Sequence, residues 1–195
     1  MPAFWAYHTP LYLLRRMNLV SKERFRAMWA TNLTRPARGW TSEQLHGLYD
    51  WVANTYNTPL RREDMIERLV EHNAKGHLTV LVSTGFDGLM QRIAKTVGAQ
   101  MAVGTRVKMQ NGVCTGRNIA PLVIGAQKEL ETRRRLQQQG IEVDFQSSHA
   151  YADSITDLSL FEMVGNPHPV YPDIKLAALA ERRGWQIYGE VNTEV

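Results

Sequence analysis

A chain of 195 residues suits one domain, or one core with a modest insertion, and 44% hydrophobic residues is ordinary for a globular protein and too many for a disordered one. The formal charge of +4 is compatible with nucleic acid or with small phosphorylated ligands, but the basic residues are scattered. Cys114 is the single cysteine, which excludes an internal disulfide and makes a reducing cytoplasm the expected compartment.

The apolar stretch from Phe4 to Leu14 is interrupted by His8 and Pro10 and is too short to span a bilayer. It lacks the basic flank and small-residue cleavage site of a secretion signal, so no membrane association is expected. Up to about His77 the chain reads as helices. Thr41-Ser42-Glu43-Gln44 starts one, capped by the hydroxyl of Thr41 or of Ser42, and Leu45, Leu48, Tyr49 and Val52 give it one apolar stripe. Pro59 precedes a second, Arg61 to Asn73, with Met65, Ile66, Leu69 and Val70 on its apolar side. Trp5, Trp29, Trp40 and Trp51 all fall in this half, and read as a helical core or a substrate lid rather than a base-stacking platform.

The period then changes. Leu78 to Val82 is short, apolar and β-branched, a buried strand ending at Ser83-Thr84-Gly85. A helix from about Gly88 to Val97 closes at Gly98. Met101 to Val113 alternates weakly and carries the hairpin-type turn Asn111-Gly112. A helix from about Ala126 to Gln139 stops at Gly140, and the dense basic run inside it, Arg133-Arg134-Arg135, reads as a solvated face that disfavours nucleic acid as a partner. Ser148 to Ala152 is a strand, followed by Asp153-Ser154-Ile155-Thr156-Asp157 and a short helix to Val164. Tyr171-Pro172-Asp173 opens a last helix, Ile174 to Arg183, and Trp185 to Tyr188 is the last strand. Strands alternating with helices predict a parallel α/β sheet covered on both faces.

Ligands of open α/β sheets bind beyond the carboxyl ends of the strands, which singles out three polar clusters. Ser83-Thr84-Gly85 offers a hydroxyl and backbone N–H groups suited to a phosphate oxygen, or else a plain helix cap. Asp153 and Asp157, four apart at a strand-to-loop junction, could hold a hard cation such as Mg²⁺, with Asp153 as a helix cap the alternative. Lys128, near a helix start, would balance nearby carboxylates and a phosphate charge, or else be solvated.

The order of these clusters resembles that of a known family. Leu81-Val82-Ser83-Thr84-Gly85 is similar to the second motif of the HAD superfamily of hydrolases, and Asn111-Gly112-Val113-Cys114-Thr115-Gly116 resembles the hairpin that precedes the third motif in the phosphoserine-phosphatase-like branch. Lys128 falls at the third-motif lysine. Tyr151-Ala152-Asp153-Ser154-Ile155-Thr156-Asp157-Leu158 is similar to the fourth motif, and Val164-Gly165-Asn166-Pro167, Tyr171-Pro172-Asp173 and Arg183-Gly184-Trp185 also fit. The resemblance implies a three-layer Rossmann-like core over residues 76–195 and a helical cap over residues 1–75. It further implies a Mg²⁺-dependent phosphatase acting on a small phosphorylated metabolite. Ser83, with backbone help at Thr84 and Gly85, would bind the phosphoryl oxygens; Lys128 would pair with the phosphoryl group and the nucleophile; Asp153 would ligate Mg²⁺; and Asp157 would support Lys128 or a metal-bound water.

One motif of the family has no counterpart. Its nucleophile lies in D-x-D-x-[T/V] at the end of a central first strand, and the aspartates here, at 50, 64, 87, 144, 153, 157 and 173, are never two apart. The expectation is a chain that begins inside the cap, through a downstream start site, a truncated gene or a degenerate relative. It should be inactive as written, and the alternative is a non-catalytic protein that retains phosphate and metal sites. Tyr171 stands where the branch usually has Asn, which touches turn geometry rather than chemistry.

Overall fold

The computed structural model describes residue 12, residues 22–56 and residues 58–193. Apart from Tyr12, the apolar segment from Phe4 to Leu14, with Trp5, lies outside the described residues. The chain divides into two compact units, Met1–Val123 and Ile124–Val195.

In the first unit α1 (Lys22–Asn32) leads through a 3-10 turn at Arg35–Ala37 to α2 (Ser42–Trp51). Thr41, not Ser42, caps α2: its Oγ1 accepts from Gln44 N at 3.2 Å while Gln44 Oε1 accepts from Thr41 N at 2.9 Å, a reciprocal capping box. Leu45 and Tyr49 are buried as the stripe predicts, and Leu48 and Val52 half-buried. A π-helical turn, Val52–Tyr56, continues α2. Trp29 and Trp51 are exposed rather than part of a helical core; Trp51 instead meets Tyr56, ring centroids 5.8 Å apart. The next helix, α3 (Glu63–Ala74), starts beyond the predicted Arg61 because Arg62 is its extended cap residue. Val70, at the margin of its stripe, is 54% exposed.

The strand predicted from Leu78 is β1 (Val80–Phe86), and α4 (Asp87–Val97) follows, ended by Gly98 at φ +83°. β1 pairs in parallel with β2 (Met101–Thr105), every residue of which is buried. The register Val80↔Met101 to Val82↔Val103 slips before Phe86↔Thr105. Ser83-Thr84-Gly85 is therefore not a loop beyond the strand, as the sequence suggests, but a bulge within it. Thr105 makes this possible: its Oγ1 donates to Thr84 O at 2.9 Å and accepts from Val123 N at 3.1 Å. The weak alternation after Met101 resolves into this buried strand plus an antiparallel hairpin, β3 (Val107–Gln110) and β4 (Val113–Asn118). Its turn residues Asn111 and Gly112 take φ 50° and 77°, the left-handed pair that a tight hairpin demands.

β4 buries Cys114 against Leu45 and Tyr49, with Trp40, Phe86 and Leu89 around them. Tyr49 also lies over Gly88 and under the Arg92 guanidinium, 5.6 Å from its ring, and Arg92 Nε donates to Asp50 Oδ1 at 2.5 Å. Burial, seconded by Cys114 and opposed by Arg92, pushes the Tyr49 phenol from 10.0 up to about 12.

The second unit runs α5 (Ala126–Gln138), β5 (His149–Ala152), a 3-10 turn at Ile155–Asp157, α6 (Leu158–Met163), β6 (Asn166–Pro169) and α7 (Ile174–Arg183). β5 and β6 are parallel, in register from His149↔Asn166 to Ala152↔Pro169. Phe161, Val170, Leu176 and Ala180 form its buried interior. The predicted strand from Trp185 to Tyr188 shrinks to one parallel bridge, Val170↔Tyr188. The cause is the neighbouring segment, where Pro167, Pro169 and Pro172 have no N–H to offer a ladder. Among the described residues β1 pairs with β2 alone and β5 with β6 alone. No described helix is long and apolar enough to cross a membrane.

At Gly104 an added Cβ would lie 2.7 Å from Asp87 Cα and 2.8 Å from Gly85 O, both immovable backbone. Gly104→Ala should therefore cost about 1–3 kcal/mol, read as a lower urea midpoint. Tyr49 is an acid whose folded pKa lies above its unfolded 10.0, so its contribution is complete below pH 10 and is lost as pH rises towards about 12. Tyr49→Phe should flatten the stability profile in that window, measured by urea titration at a series of alkaline pH values.

Candidate active site

Asp153 follows Ala152 at the carboxyl end of β5, the edge at which parallel sheets collect ligands, and is exposed. Its carbonyl accepts from Asp173 N at 2.7 Å. The chain then turns tightly. Ser154 caps the 3-10 turn, its Oγ accepting from Thr156 N at 3.3 Å, and Asp157 N donates to Ser154 O at 2.9 Å. The tight turn swings Asp157 inward, where it is buried.

Lys128 comes to meet it. It is the third residue of α5, whose start is held by Lys128 N donating to Gly125 O at 2.9 Å and by Ser159 Oγ donating to the same carbonyl at 3.0 Å. The lysine is 8% exposed and Asp157 6%, and Lys128 Nζ donates directly to Asp157 Oδ1. The bland reading of a solvated helix lysine is thereby overturned. Two opposite charges withheld from water are tolerable only as a pair, so each fixes the other's place.

The bulge of β1 carries the remaining predicted residues, in the first unit. Ser83 is half-buried, and its Oγ accepts from Gly85 N at 3.1 Å. That N–H, expected to face a phosphate, is thus turned onto the serine, while the hydroxyl proton of Ser83 is directed by its own rotor. Asp87, at the start of α4, has an Oδ1 that accepts from Gly104 N at 3.1 Å and ties the helix start to β2.

Lys128 and Asp157 are in contact, and Asp153 lies in the same turn as Asp157. Ser83, Thr84 and Gly85 cluster in one bulge of the other unit. Sequence reasoning missed Thr105, Asp87 and Asp173 as the groups that hold these segments. Only Asp173 carried a signal, since an aspartate before a helical run is a cap. The donors at the β5 end are carboxylate and carbonyl oxygens, a set for hard cations. Among the described residues no three His, Cys, Asp or Glu side chains gather into a metal-holding group. A cation with one or two protein carboxylates, completed by water and phosphate, is compatible with that donor set.

Breaking the pair has a defined cost. Lys128→Met alone should destabilise the second unit by about 3–5 kcal/mol, because Asp157 is left buried and unpaired, and Asp157→Leu added to it should recover most of the loss. Urea denaturation of the two variants tests this.

Comparison with known proteins gives a family model described as haloacid dehalogenase-like hydrolase, matched over residues 4–162. A "Probable phosphatase" of Mycobacterium tuberculosis is 31% identical over 157 residues, 80% of this chain and 54% of that protein. The chain spans little more than half the length of the curated relatives it matches over most of its own length. A crystal structure of a Bordetella pertussis Tohama I protein of unknown function superposes with a TM-score of 0.77 at 22% identity, covering 93% of this chain and 80% of that one. A phospho-aspartyl intermediate analogue of phosphoserine phosphatase does so with a TM-score of 0.57 at 14% identity, covering 96% and 80%. At these identities the two structures speak for the fold.

Proposed function

The chain belongs to the haloacid dehalogenase-like hydrolases, and on that premise we propose that it carries the phosphate- and metal-binding half of a phosphomonoesterase site acting on a small phosphorylated metabolite. The observation that carries the reading is the buried Lys128–Asp157 pair, whose carboxylate ends the turn that begins with Asp153 after a parallel strand. A lysine buried as a cation by its own carboxylate partner presents fixed positive charge to an incoming phosphoryl group, and charge already in place costs no reorganisation when the reaction begins. Asp157 holds the Lys128 ammonium in place. Asp153, exposed at the strand end, is the ligand for Mg²⁺, which when bound would supply charge neutralisation for the phosphoryl oxygens. Ser83, supported by the bulge at Thr84 and Gly85, would donate its hydroxyl to a phosphoryl oxygen. The name of the mycobacterial relative supports the phosphatase class. Residues up to about 75 would act as the cap and those from 76 onwards as the core.

In the aspartyl-phosphate route a carboxylate attacks phosphorus and water later releases the phosphate, which divides one difficult displacement into two easier ones. None of Ser83, Lys128, Asp153 or Asp157 is assigned the attack; they position and stabilise. The 195-residue chain should accordingly show no Mg²⁺-dependent hydrolysis of p-nitrophenyl phosphate, and a chain extended at its N-terminus by a strand carrying D-x-D-x-T should show it. Asp153→Asn in the extended protein should lower metal affinity and rate together. Turnover by the 195-residue chain that Asp153→Asn abolishes would mean that another residue is the nucleophile, and would overturn this assignment. The rival, a non-catalytic phosphate- and metal-binding protein, predicts Mg²⁺ binding that depends on Asp153 and no turnover even in the extended chain.

A further inference from the structure

Asp173 reaches two elements with one carboxylate. Its Oδ1 accepts from Leu176 N at 2.8 Å, which caps α7. Its Oδ2 accepts from Ile155 N at 3.0 Å, in the turn that follows β5. The backbone N–H of the same residue donates to Asp153 O at 2.7 Å. A cap needs one oxygen only. The second oxygen and the amide grip the turn at both 153 and 155, immediately on either side of Ser154, and so define the backbone from which the Asp153 side chain projects. The other end of the turn is fixed by Asp157 N to Ser154 O at 2.9 Å and by the Lys128–Asp157 pair. The five-residue segment is thus clamped from α7 at its start and from α5 at its end.

We infer that Asp173 is a positioning residue for the Asp153–Asp157 turn, distinct from its capping of α7, and that cation affinity at Asp153 depends on it. The second clause rests on the proposed role of Asp153; the first does not. Without the second oxygen, Ile155 N–H loses its partner and the turn is free to open towards water. Asp153 then samples several directions, and a ligand whose support is removed typically loses about 10–100-fold in metal affinity.

The test separates the clamp from the cap. In the ¹⁵N-labelled 195-residue chain, Asp173→Ser retains a hydroxyl that caps a helix nearly as well but has no second oxygen, whereas Asp173→Ala loses both functions. Asp173→Asn, with one carbonyl oxygen for Leu176 and an NH₂ facing Ile155, is a second cap-retaining variant. In whichever of these keeps Leu176 N–H protected, the Ile155 amide should exchange at least about tenfold faster, and the apparent Kd for Mg²⁺, followed by NMR titration, should rise about tenfold. Unchanged exchange at Ile155 overturns the clamp. Faster exchange with unchanged Mg²⁺ affinity overturns its connection to the cation. If the parent chain gives no Mg²⁺ response, or Asp153→Asn leaves that response intact, the proposed metal role of Asp153 fails, while the exchange measurement still decides whether Asp173 holds the turn.

Discussion

An ammonium and a carboxylate removed from water stabilise one another only while they remain in contact, and the second unit is organised around such a contact. Lys128 sits one turn into α5 and Asp157 at the end of the turn after β5, so the pair fixes the distance between that helix and the strand's carboxyl end. Ser159, whose hydroxyl donates to Gly125 O, adds a second link between the start of α5 and the segment after β5. The neighbouring polar groups are accordingly satisfied locally: Ser154 takes the N–H of Thr156, Thr132 gives its hydroxyl to Lys128 O, and Asp173 takes the N–H of Ile155.

The first unit meets a different constraint. A bulge in a parallel strand gives up ladder bonds, and β1 replaces them with side chains. Thr105, buried and doubly bonded, accounts for the carbonyl of Thr84 and the amide of Val123. Asp87 accounts for the amide of Gly104. Gly104 is glycine because β2 passes so close to the start of α4 that no side chain fits between them. The hydroxyl-bearing segment is held in an irregular shape by regular neighbours, which is how a rigid scaffold presents polar groups.

Much of this was legible in the sequence, and what was not has a common cause. The start and end of α7, the start of α2 at Thr41-Ser42, the Asn111-Gly112 hairpin and the Gly98 terminus are all local signals, set by residues within a few positions of one another. The placement of Asp153 at a strand end and Lys128 near a helix start was equally local. The burial of the Lys128–Asp157 pair was not, since 29 positions separate its members and nothing near either announces the other. The bulge in β1 escaped for the same reason: Thr105 creates it from the neighbouring strand, while Ser83-Thr84-Gly85 itself looks like the loop after a strand. Trp185 to Tyr188 reads as a strand when taken by itself. Pairing depends on the partner's donors, and prolines elsewhere had removed them.

Cys114, the one thiol of the chain, is enclosed by Leu45 and Tyr49 where β4 meets α2, with 1% of its surface exposed. A maleimide cannot reach it while the hairpin is seated. Alkylation therefore proceeds only through moments in which β4 leaves that cluster, and its rate at saturating reagent becomes the rate of that departure, while its rate at low reagent reports the population of the departed state. The protein thus contains a single-site clock for the opening of its first unit. Asp173 and Lys128, both in the second, lie outside what that clock measures directly.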